Sequence, residues 1–359
     1  MTNNSSIFAY VGAYTTAPFK GHGEGLSVFQ LDPTGQEWRL VQVVKEMIDP
    51  SFLALDGQNR FLYCVHESLA EISAFSIDPQ TGHLTWLNTV STGGSTPASL
   101  MVAPDNRYVI VANYMAGTVA VLPIGPDGKL GTVSQLTTLE GQAGPDKTEQ
   151  TMSHPHDIRF DPTGQYIFVP DKGFDRLFIF SYNPENGNLT PANLPSLTEQ
   201  AGAGPRHLVF HPDGRYAYLI NELNSTVTTF SYGSDPLNLA QLQVVSTLPP
   251  GFTGSNTCAE IQVAPSGKFL YGSNRGHDSI VVYAIDQATG QLTPVQWEPT
   301  GGKTPRFFKL DNTGTLLYAA NQDSDNITIF KVDPAHGTLS QTGQVVQTGS
   351  PVCIVEVTV

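Results

Sequence analysis

One sequence phrase recurs along the chain and limits its possible folds more than any other feature. An apolar strand is followed by a tight turn and then by a second strand rich in aromatic residues. Its six copies are FLALDGQNRFLYCVHE from Phe52, LMVAPDNRYVIVANY from Leu100, DIRFDPTGQYIFVPDK from Asp157, LVFHPDGRYAYLINEL from Leu208, EIQVAPSGKFLYGSNR from Glu260 and FKLDNTGTLLYAANQD from Phe308. Each copy is typical of a β-hairpin, because β-branched and aromatic residues flank a turn. The predicted turn pairs, which tolerate a positive φ, are Asp56-Gly57, Asp213-Gly214, Ser266-Gly267 and Thr313-Gly314.

Two more strands follow each hairpin. The third strand includes EISAFSID, TVAVLPIG and SIVVYAID, and the weaker fourth strand includes GHLTWLNTV and GQLTPVQWEP. Four strands in a repeat of roughly 45–55 residues indicate one blade of a β-propeller.

The two ends of the chain together predict a seventh blade. The C-terminal segment SPVCIVEVTV is typical of a lone first strand, and the N-terminal segment from IFAYVGAYTT to WRLVQVV is typical of strands two to four. Their pairing would leave no free edge between the first and last blades. We therefore predict an all-β fold, a seven-bladed β-propeller of four-stranded antiparallel blades that forms a single domain over residues 1–359.

Charge and cysteine content argue against several classes of protein. The 359 residues carry a formal net charge of −14 without a basic stripe, which argues against nucleic-acid and anionic-membrane partners. Three cysteines, with no C-x-x-C or H-E-x-x-H spacing, argue against disulfides and zinc and indicate a reducing compartment. The sequence shows no signal-peptide pattern and no apolar run of membrane-spanning length. We expect a cytoplasmic protein without a metal or other cofactor.

The predicted first strands share a proline near their start, where no ladder N–H is required. Cys258 takes this position in the fifth repeat, and the prolines are Pro50, Pro97, Pro155, Pro205, Pro305 and Pro351. The residues that follow directly are Ser51, Ala98, His156, Arg206, Ala259, Arg306 and Val352. The next residues are Phe52, Ser99, Asp157, His207, Glu260, Phe307 and Cys353.

In a propeller, first strands start on the face where second strands end. The predicted ends of the second strands are Gly12-Ala13, Val65-His66, Ala112-Asn113, Pro170-Asp171, Asn221-Glu222, Asn274-Arg275 and Asn321-Gln322. We therefore expect both sets of positions to meet at one mouth of the central channel.

Charged residues occupy several of these positions, where a purely structural repeat would hold small or apolar residues. They are His156, Arg206, Glu222 and Arg275, with Arg306, Glu260 and His207 close by. Like charges are costly to bring together unless an anion offsets their repulsion. The sequence therefore predicts a site for a small anionic molecule.

The phrases SHPHD, GAGPRHLVFHP, YLINEL and YGSNRGHDSI resemble the lactonase family of seven-bladed propellers, from about Ile7 to Val355. This family includes bacterial propeller-type 6-phosphogluconolactonases and the fungal enzyme that cyclises 3-carboxy-cis,cis-muconate. The resemblance implies an active site of one histidine, two arginines and one glutamate. By motif these are His156, Arg206, Glu222 and Arg275. The bacterial branch hydrolyses a lactone and the fungal branch forms one, so both chemistries remain open here.

Lactone hydrolysis needs a base to activate water and cations to stabilise the oxyanion. The candidates are Glu222 or His156 as the base and Arg206 and Arg275 as the cations. Arg306 and Lys172 are candidates for holding a phosphate, and His207, Glu260 and Asn113 complete the predicted substrate-binding set.

Each assignment has a structural alternative. The arginines could be ion-pair partners of Glu222 and Glu260, and His156 could be a hydrogen-bonded channel residue without a chemical role. Strand alternation favours His207 turning away from the site, and Asn113 could cap a turn at the end of its blade.

Three other functions compete with a lactone hydrolase of sugar-acid metabolism, such as the pentose phosphate pathway. They are a cyclase of the muconate type, a non-enzymatic binding platform and a calcium-dependent lactonase that uses Glu222, Asn113 and Asn274. Arginines at the rim would repel calcium. Segments 15–24 and 141–153 are long for blade connections and could form a partial lid, with solvated loops as the favoured alternative.

Overall fold

The computed structural model describes residues 6–233 and 238–358 and confirms the predicted propeller. Seven four-stranded antiparallel sheets, which we call blades 1 to 7, make up the fold of these residues. Residues 1–5 and Val359, which the predicted domain includes, lie outside the described residues. Within the described ranges, no helix is long and apolar enough to cross a membrane.

Blades 1 to 4 contain the strands β1 (Ile7–Ala13), β2 (Gly25–Leu31), β3 (Trp38–Lys45), β4 (Pro50–Leu55), β5 (Phe61–His66), β6 (Glu71–Ile77), β7 (Leu84–Ser91), β8 (Pro97–Val102), β9 (Tyr108–Asn113), β10 (Thr118–Pro123), β11 (Gln135–Thr138), β12 (Arg159–Phe160), β13 (Tyr166–Asp171), β14 (Arg176–Tyr182) and β15 (Leu189–Thr198). Blades 5 to 7 contain β16 (Pro205–Phe210), β17 (Tyr216–Asn221), β18 (Thr226–Ser231), β19 (Ala240–Ser246), β20 (Thr257–Val263), β21 (Phe269–Arg275), β22 (Ser279–Ile285), β23 (Leu292–Pro299), β24 (Pro305–Leu310), β25 (Leu316–Asn321), β26 (Asn326–Val332) and β27 (Leu339–Gln347), and β28 (Pro351–Thr358) belongs to blade 1. Two short 3-10 helices span Ala17–Phe19 and Gln322–Ser324.

Blade 1 closes the ring as the sequence predicted. Its strand order is β28-β1-β2-β3, so the C-terminal strand is the first strand of a blade whose other strands are N-terminal. β28 pairs antiparallel with β1 and contacts the first strands of blades 2 and 7. The end of the chain is thereby built into the wall of the channel.

Aromatic residues of the second strands join neighbouring blades, which explains why these strands are rich in tyrosine. The Tyr10 hydroxyl of blade 1 donates to the Gly82 carbonyl of blade 2 at 2.9 Å, and the Tyr63 hydroxyl repeats the contact with Gly128 of blade 3 at 3.1 Å. Gly82 has a φ of 68°, and a Cβ atom there would lie 2.4 Å from the Phe8 ring. The blades therefore pack through apolar layers between them, and the channel remains along the axis.

One predicted turn differs in detail. Gly57 does not adopt a positive φ; Asn59 takes the left-handed position of the β4–β5 turn, with a φ of 57°. The Asp56 carboxylate accepts hydrogen bonds from the backbone N–H groups of Arg60 and Phe61. Asparagine tolerates the left-handed region, so this turn needs no glycine there.

A β-bulge at the start of the first strand is the feature of the fold that forms the site. In blade 5, Pro205 pairs with Asn221 whereas His207 pairs with Ile220, so Arg206 has no opposite residue. The ladder shifts register near the same position in every blade. Such bulges redirect side chains. The residues that follow the prolines are thereby turned toward the mouth of the channel.

Candidate functional site

The prediction that the residues after the prolines converge is confirmed. Six of the seven line one small cavity at the mouth of the channel, namely Ser51, Ala98, His156, Arg206, Arg306 and Val352. The cavity is also lined by Glu67, His207, Phe52 and Phe307. Four of the predicted site residues, His156, Arg206, His207 and Arg306, thus meet at one place although they come from three different blades.

Glu222 lies at the centre of a buried charge cluster beside this cavity. Its carboxylate is 2.9 Å from Arg206 Nε, 3.0 Å from Lys172 Nζ and 3.1 Å from Arg275 Nη2. Burial raises the pKa of Glu222, but Arg275, Lys172 and Arg206 outweigh this effect and hold the pKa well below its ordinary value. Glu222 is therefore ionised at neutral pH, and the ion pairs considered as a structural alternative form with this residue.

Replacing Glu222 by glutamine should destabilise the protein strongly at neutral pH, because three buried cations would lose their shared counter-charge. We expect a loss of about 3–5 kcal/mol in the free energy of unfolding. Since the folded-state pKa is depressed, the stabilisation is present above the ordinary glutamate pKa and is lost as the pH falls through the folded-state value. The difference between wild type and variant should therefore shrink in acid.

Urea unfolding of both proteins across a pH series measures this difference. The exposed Glu37→Gln serves as the matched control and should leave the free energy unchanged. A Glu222→Gln protein as stable as wild type at pH 7 would contradict the role of Glu222 as the shared counter-ion.

Arg306 is a second arginine, after Arg206, that lines the cavity. Its Nη2 is 3.4 Å from Glu67 Oε1, and its guanidinium lies over the Tyr14 ring at 5.2 Å. The Tyr14 hydroxyl donates to Glu67 Oε2 at 2.6 Å. With a single long ion pair among the described residues, Arg306 retains most of its N–H groups for a ligand.

Lys172 connects the cluster to segment 141–153. Its ammonium contacts Glu149 Oε2 at 2.6 Å as well as Glu222, and the neighbouring Gln150 amide donates to the Lys172 carbonyl at 2.8 Å. Glu149 and Gln150 therefore attach this segment to the edge of the site, although most of its residues are exposed. In segment 15–24, Phe19 stacks on Tyr14 with ring centroids 4.3 Å apart, so this segment also packs beside the site.

The His156 imidazole lies in the wall of the cavity, which Arg206 also lines, with its ring centroid 5.5 Å from that of Tyr114. Burial, Arg206 and His207 lower the pKa of His156 well below its ordinary value, so the ring is neutral at pH 7. Its Nδ1 is buried and has no hydrogen-bond partner among the described residues. The alternative of a hydrogen-bonded structural histidine therefore does not account for this nitrogen.

His207 faces the cavity, and the orientation expected from strand alternation is wrong. The bulge at Arg206 places both side chains on the same side, with His207 Nε2 3.1 Å from Arg206 Nη1. Glu260 lies behind His207, 3.0 Å from its Nδ1. Glu260 lines a second cavity of about 390 Å³ on the channel axis, on the far side of Phe52 and Phe307. The structure thus brings Glu260 to the back of the site.

Asn113 is not brought to the cavity. Its amide nitrogen donates to the Thr92 carbonyl at 3.3 Å, in the connection from blade 2 to blade 3, and to the Thr118 hydroxyl of its own blade at 3.1 Å. Asn274 repeats this contact with the Thr247 carbonyl at 2.9 Å. The predicted substrate-binding position of Asn113 therefore needs correction, because this amide caps the end of a blade.

The charge cluster does not resemble a cation site. Within residues 6–233 and 238–358, no group of three or more histidine, cysteine, aspartate or glutamate side chains is placed to hold a metal ion. Three cations surround Glu222, and the amide nitrogens of Asn113 and Asn274 donate to the carbonyls of Thr92 and Thr247 in the connections between blades. Positive charge on three sides of the Glu222 carboxylate disfavours a divalent cation there.

The structure adds three residues that the sequence analysis missed: Tyr14, Glu67 and Tyr114. Each directly follows the last residue of a second strand, as Lys172 and Glu222 do. The backbone N–H of Glu67 donates to the Asp49 carbonyl as that of Glu222 donates to Gly204. In blades 1 to 4 the predicted strand-end pairs lie one residue before the positions equivalent to Asn221-Glu222, and a shift by one residue includes all three.

Fold and site together define a seven-bladed β-propeller with a buried cluster of cations and carboxylates at one mouth of its channel. The family model described as Lactonase, 7-bladed beta-propeller matches residues 8–356. The chain belongs to this lactonase family, which confirms the resemblance inferred from the motifs and the enzyme class it implied.

Several relatives are similar over nearly the whole chain. The 6-phosphogluconolactonase of Bacillus subtilis (strain 168) is 33% identical over 309 residues, which cover 86% of each chain. A 6-phosphogluconolactonase of Formosa agariphila is 34% identical over 310 residues, covering 84% of this chain and 86% of its own. The solved structure of the periplasmic gluconolactonase of Pseudomonas aeruginosa has a TM-score of 0.89 at 33% identity, covering 98% of this chain and 99% of that one.

Proposed function

We propose that this protein hydrolyses a sugar lactone, 6-phosphogluconolactone, at the mouth of its channel. The observation that carries the proposal is one cavity lined by His156, Arg206 and Arg306, in which the His156 ring is neutral and its Nδ1 has no hydrogen-bond partner among the described residues. The relatives named 6-phosphogluconolactonase support this substrate. The pentose phosphate pathway is the corresponding proposed context.

The chemistry begins at His156. A neutral imidazole can take a proton from water as the water oxygen attacks the lactone carbonyl. The ring C–O bond then breaks, and the imidazolium returns the proton to the departing ring oxygen. The new carboxylic acid ionises and remains beside cations. A base kept neutral by its surroundings suits the first of these steps.

Arg206 and Arg275 are proposed to stabilise the oxyanion. Glu222 and the Ala259 carbonyl hold Arg206 through Nε and Nη1, and the remaining nitrogen, Nη2, is proposed to face the substrate. Burial and Arg275 lower the pKa of Arg206 to about 10, so the group remains charged at neutral pH. A fixed cation in a buried site stabilises developing negative charge more strongly than one in water.

Glu222 is proposed to position these cations. A carboxylate with three cationic neighbours is a weak proton acceptor, because its ionised form is strongly stabilised. Of the two bases considered from sequence, the charges around each group therefore favour His156.

The phosphate is assigned to Arg306 and Lys172. At the mouth, the four cations Lys172, Arg206, Arg275 and Arg306 face three carboxylates, Glu67, Glu149 and Glu222. The site thus has a local positive excess although the whole chain carries −14, and this excess favours an anionic substrate.

The protein is proposed to act in a reducing compartment such as the cytoplasm. Cys64, Cys258 and Cys353 are all unpaired and buried, as is usual where thiols stay reduced. Cell fractionation checks this, and activity recovered from a periplasmic extract would contradict it.

The test measures wild-type rates on 6-phosphogluconolactone and on the unphosphorylated gluconolactone, each corrected for spontaneous opening. We expect clear acceleration of the phosphorylated lactone, a higher kcat/KM for it than for the unphosphorylated one, and no loss in EDTA. Absence of hydrolysis of either lactone by folded protein would overturn the proposed function.

Arg306→Ala is the matched variant for substrate preference. Its side chain contacts the cavity but makes only one long ion pair, so the fold should survive its loss. The preference for the phosphorylated lactone should fall by about tenfold or more, as expected for a lost charge-assisted contact. Equal losses on both substrates would place the phosphate elsewhere.

A further inference from the structure

The geometry points to a positioning role for the buried pair of His207 and Glu260. We infer that Glu260 fixes the tautomer of His207, and that His207 in turn holds Arg206 in the orientation that serves the oxyanion. This inference deepens the proposed function, on which its kinetic test rests. Neither residue needs to touch the substrate for this role.

The hydrogen bonds of Arg206 determine the tautomer. A guanidinium can only donate, so His207 Nε2, 3.1 Å from Arg206 Nη1, must accept. A neutral imidazole has one N–H, which is then on Nδ1 and donates to Glu260 Oε2 at 3.0 Å. Burial and Arg206 lower the pKa of His207 well below its ordinary value, in agreement with a neutral ring.

Arg206 depends on this arrangement for its orientation. Its Nε donates to Glu222 at 2.9 Å and its Nη1 donates both to the Ala259 carbonyl at 2.7 Å and to His207. If the proton moved to His207 Nε2, two donors would face each other and the guanidinium would have to turn. A small displacement of an oxyanion donor is enough to slow catalysis markedly.

Glu260 is placed to sense pH from the second cavity. Burial raises the pKa of Glu260 to about 7, although Arg159 and Arg206 lower it. The charged and titratable groups around it or across the same cavity are His207, Arg159, Arg206, Lys309, Cys353, Asp157 and Glu356. Once protonated, Glu260 can donate to Nδ1 and so favour the wrong tautomer. We therefore expect kcat to fall as the pH decreases below about 7.

The kinetic test compares disruptive with conservative variants. Glu260→Leu and His207→Phe should each lower kcat by about 10- to 100-fold, the usual cost of losing a hydrogen-bonded partner that orients a functional group. KM should stay within about threefold of the wild-type value. Glu260→Gln keeps an acceptor for Nδ1–H, and His207→Gln keeps one near Nε2 for Arg206. Both should recover most of kcat. In Glu260→Gln, kcat should no longer fall as the pH decreases below about 7. Full kcat in His207→Phe, or equal losses in all four variants, would overturn the inference.

A second measurement does not depend on activity, and the tautomer is read from the wild-type protein. Wild-type protein with ¹⁵N-labelled histidine shows the tautomer of each of its nine histidines, and His207 is assigned by the signal missing from His207→Gln. We expect an Nδ1–H tautomer at pH 7.5. An Nε2–H tautomer or an imidazolium would overturn the inference, whereas a protein with the expected tautomer but without lactonase activity would contradict only the proposed function.

Discussion

Replacing Arg206 by alanine is expected to lower kcat/KM on the lactone substrate by about 10²–10³-fold, the usual cost of losing an oxyanion donor. The guanidinium is 2% exposed and is held by Glu222 and the Ala259 carbonyl, so its remaining N–H groups have a fixed direction. Steady-state kinetics should show the loss mainly in kcat, because the interaction strengthens as charge develops on the carbonyl oxygen.

The matched control is Arg215→Ala in the same blade. Arg215 lies in the β16–β17 turn at the other end of the strands, where it pairs with Asp213 and is half exposed. It should retain wild-type kinetics. Arg275→Ala should behave like Arg206→Ala, and normal turnover in both would show that the assigned site is wrong.

Replacing His156 by alanine should reduce kcat by about 10²–10⁴-fold, the range for a lost general base, while KM changes little. The neutral ring has an unpartnered, buried Nδ1 and no charge to contribute to substrate binding. Rates on the phosphorylated lactone, corrected for the spontaneous reaction, measure the effect.

His336→Ala is the control for this histidine. His336 is largely exposed and pairs with Asp333, in a turn between the outer strands of blade 7. Its loss should leave the rate unchanged. If His156→Ala retained wild-type kcat, the base would have to be another group, and Glu222 would be reconsidered despite its three cations.

The architecture was accessible from sequence because it repeats. Hairpin phrases of constant form, and two chain ends that complete a single blade, required no knowledge of long-range contacts. The convergence of His156, Arg206 and Arg306 was predictable for the same reason, since a residue at a fixed offset from a proline occupies the same place in every blade.

The predicted pairs at the ends of the second strands were offset by one residue in four blades. The ends of the second strands in blades 1 to 4 lack the asparagine-charged pair seen in Asn221-Glu222, so those blades were aligned one residue early, and Tyr14, Glu67 and Tyr114 were overlooked. The hydrogen-bond register between strands corrects this offset.

The orientation of His207 could not be predicted from alternation. Period-two patterning assumes an unbroken ladder, whereas the bulge after Pro205 inserts one residue and turns Arg206 and His207 to the same side. A bulge depends on pairing with the neighbouring strand, which sequence periodicity does not encode. The pairing of His207 with Glu260, a residue of the next blade, was hidden for the same reason.

The closure of blade 1 has a consequence for how the protein is made. Of the described strands, β1 is the first and β28 the last to leave the ribosome, yet they pair with each other. A nascent chain therefore carries an open β1 edge throughout translation, and such edges invite intermolecular pairing. A premature stop before Pro351 would release six complete blades and a three-stranded blade 1 without β28, and we expect that product to aggregate and to lack catalytic activity.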